Sequence, residues 1–193
     1  MDHLNQLSDE ELAELARDGI QSAFSVLVDR YANVVYRLAY GITGVVQDAE
    51  DIVQETFLKA FSHISAFSPS KASFKTWLLT IARNQSINVF SSLKRRTLRF
   101  LNELDADTES HGAGNPFRSA SQDAEELMSV KQEYRKVKQA LRKLPERQRT
   151  AVLLKAQENM SYSDIARIMN TTASSVESLI FRARKKILDM VEE

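Results

Sequence analysis

Apolar residues recur at spacings of three and four along most of this 193-residue chain, and the two-residue alternation of a half-buried strand is absent. The pattern predicts an all-α protein. Its first helix has a defined start: Ser8 and Glu11 carry the spacing of a capping box, with Leu7 and Leu12 placed as a hydrophobic staple. That helix runs through Leu12, Leu15 and Ala16 to Gly19. Further helices are predicted over about 22–40, 49–61 and 74–93, the first of these burying Phe24, Leu27, Val28, Tyr31, Val35 and Leu38. In the C-terminal half helices are predicted near 124–143, 146–157, 161–169 and 173–190. Pro145 suits a first helical position, where its missing N–H costs nothing.

The periodicity fails over Asn102–Asp123, NELDADTESHGAGNPFRSASQD. After Leu104 the only large apolar residue there is Phe117, and Gly112, Gly114 and Pro116 interrupt any helical pattern. Such a segment cannot bury enough surface to offset its ordering entropy. It reads as a flexible acidic linker, 101–123, between an N-terminal helical domain, 1–100, and a C-terminal one, 124–193.

Composition narrows the chemistry. With no cysteine there is no disulfide, thiolate metal site or cysteine nucleophile. His3, His63 and His111 are too dispersed for a helical metal pair, so neither metal nor cofactor is expected. No apolar run approaches the roughly 18 residues that cross a bilayer, and the acidic, amphipathic N-terminus is unlike a signal peptide. A cytoplasmic protein without direct membrane insertion is expected. The 26 basic and 26 acidic residues cancel, which at first argues against a nucleic-acid partner. By position they do not cancel: 1–100 is balanced, 101–123 has a net charge of −4, and 124–193 has +4.

The basic C-terminal segment holds the most informative motif, SYSDIARIMNTTASSVESLIFRARKKI, Ser161–Ile187. Ser161 and Asp164 resemble a capping box, and Ile165, Ala166 and Met169 give a short helix a narrow apolar face. Asn170, one of the few residues tolerant of left-handed geometry, stands at the turn. A second helix buries Val176, Leu179 and Ile180, which is helix-turn-helix spacing. Its outer face would carry Thr172, Ser174, Ser175, Glu177, Ser178, Phe181 and Arg182, groups suited to base edges in a major groove. Arg184, Lys185 and Lys186 would neutralise phosphates. The plainer alternative is a helical hairpin with a solvated face.

Two N-terminal segments also stand out. In DAEDIVQETFLKAF, Asp48–Phe61, a helical wheel puts Ile52, Val53, Thr56, Phe57, Ala60 and Phe61 inside, and Asp51, Gln54, Glu55, Leu58 and Ser62 outside. A leucine ringed by acids is suited to docking on a basic helix, although composition alone favours a solvated face. From Thr76 to Asn102 there is no acid, against Arg83, Lys94, Arg95, Arg96 and Arg99. Phe74, Trp77, Leu78, Ile81 and Val89 make the core side of that helix. Thr80, Arg83, Asn84, Ile87, Asn88 and Ser91 lie elsewhere, a basic, amide-rich face suited to single-stranded nucleic acid. Trp77 belongs to a core more readily than to a stacking platform.

Together, AFSVLVDRY (Ala23–Tyr31), DAEDIVQETFLKAF, FKTWLLTIARN (Phe74–Asn84), LPERQR (Leu144–Arg149) and the helix-turn-helix ending in IFRARKKI resemble bacterial RNA polymerase sigma factors of the extracytoplasmic-function (ECF) type, within the sigma-70 family. The motifs occur in family order and span nearly the whole chain. The resemblance implies a stress-type transcription initiation factor, not an enzyme, that binds core polymerase and recognises and melts promoters. It implies docking of Asp48, Asp51, Gln54, Glu55 and Leu58 on the coiled coil of the largest subunit, with the C-terminal domain touching the flap. It implies a base-capturing loop over about His63–Ser73. For the −10 element it implies Lys71, Phe74, Lys75, Trp77, Thr80, Arg83, Asn84, Asn88, Lys94, Arg95 and Arg96. For the −35 element it implies Thr172, Ser174, Ser175, Glu177, Ser178, Phe181, Arg182, Arg184 and Lys185. The acidic linker would thread toward the active-site cleft. Promoter DNA, both duplex and single-stranded, and an anti-sigma factor are the further partners implied, the latter able to hold the protein at the inner membrane.

Two departures bear on promoter choice. Glu177 and Leu179 stand where many relatives carry basic residues, and Asn88 stands where many carry Asp. Glu177 is able to accept a hydrogen bond from a cytosine amino group. The competing reading is a stand-alone helix-turn-helix regulator with a partner- or signal-binding N-terminal domain, which would have no need of the Asp48–Phe61 stripe. A nucleic-acid enzyme finds no support, since phosphate-cradling glycines, metal clusters and a nucleophile–base pair are missing from the sequence.

Overall fold

A computed structural model describes residues 3–103 and 135–192, and among these the chain is helical throughout, without strands. The elements are α1 (Asp9–Arg17), α2 (Gln21–Thr43), α3 (Val46–Ser62), α4 (Phe74–Glu103), a helical stretch α5 over 135–143, α6 (Glu146–Glu158), α7 (Tyr162–Met169) and α8 (Ala173–Glu192). Helices α1–α4 form the N-terminal bundle. Its centre is Leu12, Leu27, Val35, Ile42, Phe74, Leu78 and Leu79, all at most 2% exposed or fully buried.

The local signals work as the sequence requires. The Ser8 hydroxyl accepts from the Glu11 N–H and the Glu11 carboxylate accepts from the Ser8 N–H, a complete capping box. Gly44 ends α2 in the left-handed region (φ 77°), where a Cβ would be strained. Ser73 caps α4 by accepting from the Thr76 N–H at 3.2 Å. In the helix-turn-helix, Ser161 caps α7, and Asn170 takes the left-handed turn (φ 48°). Pro145 sits one residue earlier than predicted, as the N-cap of α6.

Two expectations are corrected. Helix α4 runs to Glu103, about ten residues past its predicted end, so its basic residues Lys94, Arg95 and Arg96 lie on a continuous helix. Phe61, expected inside, is 43% exposed, although its ring still meets Phe24 at 5.0 Å. The two domains also touch one another. Helix α6 packs on α2 and α7 on α4, and Leu153, Leu154, Ile165 and Met169 join the same core as Leu27 and Phe74. The remainder of the acidic linker and the predicted helix start at 124 lie outside the described residues.

Candidate polymerase-docking and nucleic-acid interfaces

The outer stripe of α3 is as the wheel predicts: Asp51, Gln54, Glu55 and Leu58 are exposed, and Leu58 is 66% so. Ile52, Thr56, Phe57 and Ala60 are buried opposite them. Asp48 stands apart from the stripe. It lies in the first turn of α3, half-buried, with Oδ2 enclosed and without a hydrogen-bond partner among the described residues. Beside the stripe, a concavity of about 430 Å³ lies between α2 and α3, lined by Ala32, Asn33, Tyr36, Glu50, Val53 and Gln54. Asn33 and Tyr36 escape sequence reasoning because they belong to a different helix, and only the α2–α3 packing brings them to Gln54.

The second face is α4 with the loop before it. Ile64 and Phe67 bury their side chains and fasten the start of the loop, leaving 69–71, Lys71 included, exposed. Phe74 is fully buried, so its place on a nucleic-acid surface is corrected: it is the hub of an aromatic cluster with Phe67 (5.5 Å), Trp77 (5.7 Å) and Tyr31 (5.8 Å). Trp77 is half-buried against the same rings, which supports packing over stacking on a base. Asn84 and Asn88 are exposed. The Thr80 hydroxyl donates to the Thr76 carbonyl at 2.8 Å. Lys75 and Arg83, expected to be free for DNA, are instead engaged by the C-terminal domain. Lys75 pairs with Glu158 at 2.7 Å, and Arg83 lies 3.8 Å from Glu146. Burial draws the Arg83 guanidinium below the usual arginine range, against the opposing pull of Glu146. Lys94, Arg95 and Arg96 are placed on α4 by its backbone, and their side chains lie outside what is described.

The third face is α8. Val176, Ile180 and Ala183 are buried and hold the helix against α6 and α7, whereas Leu179 is only half-buried. Thr172, Ser174, Glu177, Ser178, Phe181, Arg182, Arg184 and Lys185 are exposed, and Ser175 is partly so. The Thr172 hydroxyl accepts from the Ser175 N–H at 3.2 Å, fixing the start of the helix. Phe181, 70% exposed, shares a shallow concavity with Ser174, Glu177, Ser178 and Arg182. An adjoining one adds Arg147 from α6, a basic residue of the LPERQR stretch outside the helix-turn-helix. An apolar ring between an acid and a guanidinium on one exposed helix matches the mixture of groups that reads base edges. Among the described residues no cluster of three potential metal ligands occurs, and no helix is long and apolar enough to cross a membrane.

Comparison with known proteins agrees with this layout. Residues 27–96 match the Sigma-70 region 2 family and residues 134–187 match the Sigma-70 region 4 family. The chain is 38% identical to the ECF RNA polymerase sigma-E factor of Haemophilus influenzae, over 97% of each chain. It is 35% identical to that of Escherichia coli K12, over 97% of this chain and 96% of the relative. Among solved structures, CnrH in complex with the cytosolic domain of CnrY aligns with a TM-score of 0.69 at 25% identity, covering 95% of this chain and 97% of that one. The sigma factor RpoE in complex with the anti-sigma factor NepR from Bartonella quintana aligns with a TM-score of 0.64 at 26% identity, covering 88% and 96%.

Proposed function

The chain belongs to the ECF RNA polymerase sigma factors and directs core polymerase to promoters, and we propose how its surfaces divide that work. The observation that carries the assignment is Leu58, 66% exposed within the acidic stripe of α3. Covering an apolar side chain left in water gains free energy, and the carboxylates around it select a basic partner to do so. Asp51, Gln54, Glu55 and Leu58 dock on the coiled coil of the polymerase largest subunit, with Asn33, Tyr36 and Glu50 bordering the contact. Asp48, half-buried in the first turn of α3, forms the N-terminal end of that contact.

Lys71, Lys75, Thr80, Arg83, Asn84, Asn88, Lys94, Arg95 and Arg96 line the −10 surface, over which the melted strand runs. Thr172, Ser174, Ser175, Glu177, Ser178, Phe181 and Arg182 read the −35 duplex, while Arg184 and Lys185 hold its phosphates. Residues 1–100 and 124–193 are the two working domains, and the C-terminal one also meets the polymerase flap. Bond-forming chemistry belongs to the polymerase, and the protein acts in the cytoplasm. Solved relatives bound by an anti-sigma factor and by a cytosolic domain support an anti-sigma partner for this chain too.

In vitro transcription with core polymerase on a genomic fragment library tests the reading. Transcripts starting downstream of a shared two-element sequence are expected. Failure to co-elute with core polymerase, together with no promoter-dependent transcript, would leave the stand-alone regulator as the better account.

A further inference from the structure

The seam between the two domains adds charged bonds to its apolar core. Glu158 ends α6 with its side chain only 9% exposed, 2.6 Å from Arg37 Nη2 of α2 and 2.7 Å from Lys75 Nζ of α4. One carboxylate thus ties three helices. Around it Lys138 donates to the Tyr40 hydroxyl at 2.8 Å, and Arg142 donates to the Gly44 carbonyl at 3.1 Å. Gly41 faces Leu153 so closely that a Cβ would stand 2.6 Å from Leu153 Cδ1.

The rest of the seam is poorly satisfied. Arg149, 5% exposed, lies over the Phe90 ring at 4.8 Å, yet its Nε and Nη2 have no hydrogen-bond partner among the described residues. The same holds for Arg83 Nε and Gln148 Oε1. Buried polar atoms without partners oppose closure. The seam therefore rests on its shared apolar core and on a few charge-assisted bonds, of which those at Glu158 are the shortest ion pairs across it.

Geometry adds a second constraint. Promoter elements about 25 base pairs apart are separated by roughly 85 Å at 3.4 Å per base pair. Helices α4 and α7 are in direct contact, so the −10 and −35 surfaces cannot both be engaged in this arrangement. We propose that Glu158 is an intramolecular latch: its carboxylate occupies Arg37 and Lys75 as a nucleic-acid phosphate would, and so keeps the free protein closed with its −10 face shielded. Nucleic-acid phosphates open the latch by competing for Arg37 and Lys75. The shielding rests on the −10 assignment of Lys75 and Arg83, whereas the latch rests on the seam alone.

The absence of native cysteine allows clean labelling. Spin labels at Glu14→Cys and Asp189→Cys, both exposed positions, report the distance between the domains in the full chain. The parent protein should give one narrow distribution. Glu158→Gln should shift the closed-to-open ratio by about tenfold, the loss expected for one charged hydrogen-bonded pair. Gly41→Leu, a wedge against Leu153 that leaves the charges alone, should open the seam independently, with helicity by circular dichroism unchanged in both variants. A broad parent distribution would overturn the latch. So would a narrow one that persists in Glu158→Gln while Gly41→Leu opens the seam, or one that persists in both. Binding of a short fluorescein-labelled DNA single strand should tighten about tenfold in Glu158→Gln and lose that gain when Lys75→Ala is added. Opening without tighter binding would overturn the shielding. Transcription by the parent protein with core polymerase tests the surface assignments separately, so a failed latch leaves them standing.

Discussion

Replacing Leu58 by alanine should weaken polymerase binding without touching the fold. Burying a whole leucine side chain is worth about 1.5–3 kcal/mol, and Leu58 has 66% of its surface left to bury. Full coverage by the coiled coil is then worth roughly 1–2 kcal/mol, or about a 5- to 30-fold change in affinity. The assay is single-round transcription titrated with the factor at fixed core polymerase, read as the half-saturating concentration. Thermal unfolding is followed alongside, because an exposed leucine contributes little to the native state. An unchanged half-saturation point would refute the docking role of Leu58. A fall in melting temperature of several degrees would show instead that it packs within the bundle. Exposed carboxylates Asp51 and Glu55 flank it, so the affinity should also decline with added salt if the partner is basic.

Further outcomes are specific to other parts of the molecule. Asn170→Val should cost about 1–2 kcal/mol of C-terminal stability, because its backbone is left-handed (φ 48°), and Asn170→Gly should be tolerated; thermal unfolding distinguishes them. Glu177→Ala should relax discrimination at one −35 base pair by about 1–3 kcal/mol while leaving binding to other positions intact, read by transcription from single-base promoter variants. Acid should open the domain seam. Burial would raise the Glu158 carboxyl, but the bonds from Lys75 and Arg37 prevail and hold it below its ordinary 4.5. Its contribution is therefore complete above that value and is lost as the pH falls through the lowered one, so the distance between the labels should lengthen only below pH 4.5.

Helix identities were legible because they depend on local rules. The Ser8–Glu11 box, the Asn170 turn and the buried stripe Ile52–Thr56–Ala60 each follow from spacing alone. For Phe74 the two readings part: periodicity puts it on the core side of its helix, whereas the family resemblance puts it among the −10 residues. The structure agrees with the periodicity, because Tyr31 of α2, Phe67 of the preceding loop and Trp77 of its own helix enclose it. Helix α4 passes its expected end at 93 because Lys94, Arg95, Arg96, Leu98 and Arg99 are good helix formers and no Gly or Pro interrupts them before Glu103. The domain seam could not be read at all. Glu158, Arg37 and Lys75 are separated by long stretches of chain, and nothing local to any of them announces the other two.

Gly41 extends that point to descent. A Cβ at 41 would stand 2.6 Å from the Leu153 Cδ1 atom, so the two positions share one volume across the boundary between domains. A side chain can enter at 41 only if the Leu153 side chain moves, the residue at 153 shrinks or the domains part. Among homologues that close in the same way, the two positions should therefore change together, small with large. Among those that have abandoned closure, they should drift independently. The size correlation between these two sites would then record, in sequences alone, which lineages keep a closed resting form.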